Sequence, residues 1–226
     1  MNTLFHFFVA AVVLLVSYFL GCINSSVMVS RFFIRDDVRL HGSGNAGLTN
    51  FYRTYGAKYA LMVILGDIGK TAVAVLIGGF MFRHMIQDWT LGVLLAGVGC
   101  VVGHVFPVFF GFKGGKGILS GGVLVFFLDW RIALVAWGLF LVLWLLTRYV
   151  SLGSLAGVIS VPVTIWFVFG DLRYVALGAL YAALAVYCHR ENLRRLIRGE
   201  ENKFQWKLPH TSQNESSGEE QDIHEK

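Results

Sequence analysis

Three polar segments interrupt a strongly apolar chain, and each carries residue types suited to handling a phosphate. The first runs His41-Gly-Ser-Gly-Asn-Ala-Gly-Leu-Thr-Asn50 and is followed by Arg53 and Gly56. Its glycines let successive backbone N–H groups turn towards one anion. Ser43, Asn45, Thr49 and Asn50 add neutral donors, and the planar fork of Arg53 matches a phosphate. A merely flexible loop would need the glycines but not so many donors beside an arginine.

The second segment is Gly103-His-Val-Phe-Pro-Val-Phe-Phe-Gly-Phe-Lys113-Gly114-Gly115-Lys116-Gly117. Its last five residues open an apolar run and so fall at a helix N-terminus, where backbone donors and the positive end of the dipole favour an anion. It cannot be read as a Walker loop, because no G-x-x-x-x-G-K-S/T fits across it. His104 lies within the preceding apolar run, where a histidine either serves a site or fastens a neighbouring helix.

The third segment is His189-Arg-Glu-Asn192-Leu-Arg-Arg-Leu196-Ile-Arg-Gly199-Glu-Glu201. On a helix, His189, Asn192 and Leu196 share one stripe, and Arg190, Arg194 and Arg198 share another. The basic stripe suits a solvated face leaning on anionic lipid, and the His–Asn stripe points towards the site. Asp67 and Lys70, three apart inside the second apolar run, are either a site pair or a charge-compensated fastener between helices. The sequence holds no carboxylate cluster, no Cys/His metal-ligand spacing and no G-x-S-x-G elbow, so neither a metal nor a serine nucleophile is expected. Cys22, Cys100 and Cys188 fall in or at the ends of apolar runs and read as small buried hydrophobes.

The elements that position these segments follow from composition. Of the 226 residues, 56% are hydrophobic and only 15% charged, against roughly a quarter charged in a soluble domain. The apolar runs are 3–23, 57–82, 88–110, 118–128, 131–147, 152–169 and 171–188, most of them near the roughly 20 residues that a membrane-spanning helix needs. The expectation is an all-α, polytopic membrane bundle of seven helices, with 1–207 as one embedded domain and a polar, disordered tail at 208–226. The first run is read as a retained span rather than a removable leader. Ser25 to Phe33 is either an interfacial helix or an extension of that span.

Run 118–128 is short for a crossing, and charge decides its role. With seven crossings, one side receives Arg31, Arg35, Arg39, Arg53, Lys113, Lys116, Arg148, Arg190, Arg194, Arg195, Arg198, Lys203 and Lys207, and the other only Arg83, Arg131 and Arg173. Positive charge collects on the cytoplasmic side, so the N-terminus is expected outside and the C-terminus inside. The net charge of +5 is then explained by orientation and anionic lipid, and nucleic acid is not an expected partner. All three polar segments meet at the cytoplasmic face.

The segments at 42–50 with Arg53, at 103–107 with 112–117, and at 189–196 with Gly199 and Glu201 resemble the three signature motifs of the bacterial acyl-phosphate:glycerol-3-phosphate acyltransferases, the PlsY family. The likeness runs in order over nearly the whole chain. It implies a bacterial inner-membrane enzyme that transfers a fatty acyl group from acyl phosphate to glycerol 3-phosphate, giving lysophosphatidic acid and phosphate without a cofactor. It also implies that Ser43, Asn45, Thr49, Asn50 and Arg53 serve the glycerol 3-phosphate and catalytic region. The loop Lys113, Gly114, Gly115, Lys116 and Gly117 would hold the acyl phosphate beside His104, with His189 and Asn192 completing the centre and Glu201 mainly structural. Membrane lipid is the expected surrounding and a monomer the expected state. Two positions depart from the family pattern: Asn24 stands where many members have proline, and Thr71 follows Lys70 where glycine is usual. A carrier for an organic anion and a non-catalytic membrane partner are the competing readings.

Overall fold

The computed structural model describes residues 3–205; the polar tail expected from 208 lies outside the described residues. Among the described residues there is no strand, and every predicted apolar run is a helix. The long helices are α1 (Thr3–Cys22), α4 (Ala60–Met85), α5 (Trp89–Val105), α6 (Ile118–Leu128), α7 (Trp130–Thr147), α8 (Val150–Phe169) and α9 (Leu172–Cys188). Short helices α2 (Ser25–Val29), α3 (Leu48–Tyr55) and α10 (Arg190–Ile197) sit in the polar segments. The region at 25–34 continues α1: α2 runs directly into a π-helical turn at Ser30–Ile34, and Thr3–Ile34 reads as one apolar stretch.

Helix α5 is the hub, packing against α1, α4, α6 and α9, while α7, α8 and α9 form a second layer. Leu94, Val98, Val101 and Val105 of α5 meet Ile132, Ala136, Val158, Ile165 and Ala185 in the largest core cluster. The outward faces are apolar as well: Leu145, Leu146 and Phe167 are 69–81% exposed, as hydrocarbon rather than water requires. Where α1 crosses α5 the backbones touch. A Cβ on Gly21 would fall on the Cys100 carbonyl, and one on Gly103 on the Tyr18 carbonyl. Gly103→Ala is therefore expected to force the helices apart, costing about 1–3 kcal/mol and lowering the thermal midpoint of the detergent-solubilised protein by several degrees.

Helix α6 has 11 residues and is about 16 Å long, roughly half the hydrocarbon thickness. It nonetheless carries the chain from one end of the bundle to the start of α7, with Asp129 alone between them. Asp129 ends α6 in extended backbone and caps α7 by accepting from the Arg131 N–H at 2.8 Å. Asp-x-Arg recurs at Asp37–Arg39 and Asp171–Arg173, where the aspartate accepts from the backbone N–H two residues on and the arginine folds back onto it. Such caps contribute about 1 kcal/mol each and fix where a helix begins.

Among the described residues five helices are long and apolar enough to cross a membrane, and α9 with α10 makes a sixth, broken span bent by 61°. The connections at 24–59, 106–117, 148–149 and 189–205 gather at one end. Ala46 N–H donates to Gly114 O at 3.2 Å, Arg39 to Phe110 O at 2.7 Å, and Phe204 N–H to Arg148 O at 2.8 Å. The opposite end gathers Asp88, Arg173 and Tyr174.

Candidate active site

The two glycine-rich loops form one surface. Beyond the Ala46–Gly114 hydrogen bond, a Cβ on Gly47 would stand 3.9 Å from Gly115 Cα. Arg39 braces them from the side: its guanidinium binds Asp37 at 2.7 Å and reaches the Phe110 carbonyl. These hydrogen bonds from Arg39 hold the Asp37 carboxyl well below the usual carboxylate range, so the brace stays charged.

Within the first loop Asn50 is the clamp. Its Oδ1 accepts from Ser43 N–H at 3.0 Å, and its Nδ2 donates to Val38 O at 3.1 Å and His41 O at 3.0 Å. The amide is thus committed to loop shape. Ser43 stays exposed, and Asn45 and Thr49 are half-buried beside it. Asn24, one of the departures from the family pattern, links α2 to this loop. Its Oδ1 caps α2 through Val27 N–H at 3.0 Å, while Nδ2 donates to Ala46 O at 3.2 Å. Thr71, the other, donates to the Asp67 carbonyl at 2.8 Å within α4.

In the second loop Gly114 and Gly115 donate to Val105 O and His104 O, both at 3.1 Å, and so tie off the end of α5. The amides left for an anion are those of Lys116, Gly117 and the first turn of α6, which a helix cannot satisfy internally. Gly117 takes φ 75°, a left-handed conformation that turns the chain into α6. The two lysines diverge. Lys113 is exposed, whereas Lys116 turns inward and donates to Asn192 Oδ1.

The third segment completes the site through the bend between α9 and α10. His189 sits at the break, buried, with Nδ1 2.8 Å from the Ala185 carbonyl. A carbonyl only accepts, so Nδ1 carries a proton and the neutral ring offers Nε2 as an acceptor. Asn192 is buried one turn further on, and its Nδ2 donates to Glu201 Oε1 at 2.7 Å. Glu201 is a hub: Oε1 also accepts from Ser151 Oγ at 2.8 Å, and Oε2 accepts from Arg195 Nε at 2.8 Å. A chain Lys116–Asn192–Glu201–Arg195 therefore joins the second loop to the third segment. Arg53, half-buried, donates to the Asn202 carbonyl at 3.2 Å and ties α3 to the same strip.

Sequence alone assigns no site role to Ser151 or Arg195. Their role depends on Glu201 folding back across α8, which no local pattern announces. His104 stands behind the second loop, 4% exposed, with its ring against Gly115. Among the described residues no group of three or more His, Cys, Asp or Glu is placed to hold a metal.

Burial pushes the Lys116 ammonium down to about 8; Glu201 opposes the shift, and Arg195 and Arg53 reinforce it. Below that value Lys116 is a cation, and above it the amine is neutral. The KM for a phosphate substrate is accordingly expected to rise as pH passes upward through about 8, and Lys116→Arg should flatten the rise. A KM profile across roughly pH 7–10 checks this.

The family model described as glycerol-3-phosphate acyltransferase matches residues 11–199. The chain belongs to that family. A glycerol-3-phosphate acyltransferase of Syntrophomonas wolfei is 40% identical over 194 residues, covering 86% of this chain and 96% of the relative. One of Finegoldia magna is 38% identical over 192 residues, covering 84% and 93%. Among solved structures, PlsY, an integral membrane glycerol 3-phosphate acyltransferase in its glycerol 3-phosphate form, superposes with a TM-score of 0.78 at 33% identity, over 87% of this chain and 96% of that one. Its lysophosphatidic acid form gives 0.75 at 32% identity, over 87% and 95%. The chain is thus an integral membrane acyltransferase of lipid synthesis, and the resemblance carried by its three motifs is borne out.

Proposed function

We propose that this acyltransferase moves a fatty acyl group from acyl phosphate to the 1-hydroxyl of glycerol 3-phosphate at the cytoplasmic face of a bacterial inner membrane. The observation that carries this is the joining of two glycine-rich loops to each other and, through Lys116 and Asn192, to the His189 segment at the arginine- and lysine-rich end of the bundle. Two phosphate-bearing substrates need adjacent anion sites, and an acyl chain needs lipid beside them. The solved relatives named for their glycerol 3-phosphate and lysophosphatidic acid forms support the same acceptor and product here.

The hydroxyl oxygen attacks the acyl carbonyl carbon, the new ester bond forms, and the bond from that carbon to the phosphate oxygen breaks. Inorganic phosphate leaves, and the hydroxyl proton passes to one of its oxygens. Acyl phosphate is an activated anhydride, so the enzyme contributes chiefly alignment and charge stabilisation. Backbone donors at the start of α6, with Lys116, stabilise the leaving phosphate. The Ser43 loop, with Arg53, holds the acceptor, and His189 Nε2 accepts from the neighbouring 2-hydroxyl, aiming the 1-hydroxyl whose proton goes to the phosphate. No cofactor takes part, and one chain supplies every group.

The donor is tested by offering the purified protein acyl phosphate, acyl-CoA and acyl carrier protein in turn. Lysophosphatidic acid from acyl phosphate alone is expected. Product from acyl-CoA alone would overturn the assignment, and vesicle uptake of labelled glycerol 3-phosphate without product would favour a carrier.

A further inference from the structure

The acyl transfer described above leaves Asp67 and Lys70 unused, although both are buried at the site end of α4. Lys70 Nζ lies 2.8 Å from Asp67 Oδ1, 2.8 Å from the Ile23 carbonyl and 2.9 Å from His104 Nδ1. Asp67 Oδ1 also accepts from Ser25 Oγ at 2.9 Å. A buried carboxylate collecting two donors on one oxygen is ionised, and it is held so only beside a cation, which makes Lys70 an ammonium.

An ammonium has three N–H donors and no acceptor. Asp67, His104 and the carbonyls of Ile23 and, at 3.4 Å, Gly21 share them, and because an ammonium cannot accept, His104 Nδ1 meets Lys70 with its lone pair. The ring proton therefore sits on Nε2. The rival arrangement, an Nδ1–H donating to Asp67, would have to span 3.8 Å, beyond hydrogen-bonding distance.

His104 Nε2 faces the phosphate loop, since a Cβ on Gly115 would fall directly on that nitrogen. The ring is 4% exposed, and no hydrogen bond within the protein occupies Nε2 among the described residues. That N–H is open at the loop rather than sealed inside the protein, and so is free to donate to an acceptor from outside the chain.

We propose that the Asp67–Lys70 pair positions His104 as an Nε2–H donor to a substrate phosphate oxygen at the Gly115–Lys116 loop. Ser25, Asp67 and Lys70 act only through the ring, and His104 touches the ligand. The two site histidines then act in opposite senses, His104 donating from Nε2 and His189 accepting at Nε2. This rests on the phosphate-binding reading of that loop.

The test is nitrogen-15 NMR of histidine-labelled protein in lipid nanodiscs, with His104 assigned by its loss in His104→Gln. The expected result is an Nε2-protonated neutral ring whose signal moves when inorganic phosphate is added. In Lys70→Met the single tautomer should be lost. The KM for one phosphate substrate should then rise about tenfold, as for removal of one aimed donor, with kcat within about threefold. Lys70→Arg should restore both the tautomer and most of the affinity. An Nδ1–H ring or an imidazolium in the unmodified protein would overturn the proposal, as would an unmoved signal at saturating phosphate. So would a folded Lys70→Met with unchanged KM. If Lys70→Met does not fold, the phosphate titration of the unmodified protein decides. An enzyme that makes product while His104 stays unmoved defeats this inference alone, whereas a protein that binds phosphate at His104 but transfers no acyl group defeats the proposed function.

Discussion

Lys116→Ala is expected to lower kcat/KM for acyl transfer by about a hundred- to a thousandfold, while Lys113→Ala stays within about fivefold. The two lysines are three residues apart in one glycine-rich loop, and nothing in their spacing separates them. The structure does. Lys116 is half-buried and donates to Asn192, which is itself held by Glu201. Its charge is partly withdrawn from water beside the amides at the start of α6, where an interaction with developing phosphate charge is strong. Lys113 is exposed, and water and salt screen its charge. Steady-state kinetics on both variants provides the check, and comparable losses would mean that both lysines turn inward when substrate binds.

Glu201→Ala is expected to damage stability and catalysis together. The carboxylate side chain is 4% exposed and accepts from Ser151, Asn192 and Arg195. Its removal leaves three donors without an acceptor and the neighbouring charges of Arg195 and Lys116 uncompensated. Breaking a buried pair in this way costs about 3–5 kcal/mol, and the third of Arg195 that is exposed brings the expected loss to about 2–3 kcal/mol. Asn192 and Lys116 lose their fixed positions at the same stroke, so activity should fall at least as far as in Lys116→Ala. Glu201→Gln keeps one acceptor oxygen and should recover part of the stability but little of the activity. Thermal unfolding in detergent and the acyl transfer assay separate the two effects.

Much of this architecture is legible in the sequence. Apolar run length finds every long helix because a chain in hydrocarbon must close its own backbone hydrogen bonds, and a helix does so within the segment. The three polar segments are recognisable by glycine spacing and donor content, and they do meet at one end. The finer assignments are not legible. Sequence places Asn50 among substrate donors, yet its amide holds the loop by three hydrogen bonds across residues 38 to 50. Gly114 and Gly115 read as nest-forming amides, but α5 ends in carbonyls that need capping, and those two N–H groups serve them. Periodicity puts His189 and Asn192 on one stripe of a continuing helix. The chain instead bends by 61° at His189, and both side chains still turn inward. Ser151 and Arg195 give no signal because Glu201 reaches them only through tertiary folding.

Direct transfer requires both phosphates to occupy one site together, with the acyl group passing between the two substrates. The measurement that bears on it most directly is a two-substrate initial-rate matrix on the purified protein, varying acyl phosphate against glycerol 3-phosphate, with radiolabelled acyl phosphate to detect any acylated protein. Intersecting double-reciprocal lines are expected, with no label retained on the chain in the absence of acceptor. Parallel lines, with label trapped covalently on the protein, would show an acyl-enzyme intermediate and contradict direct transfer.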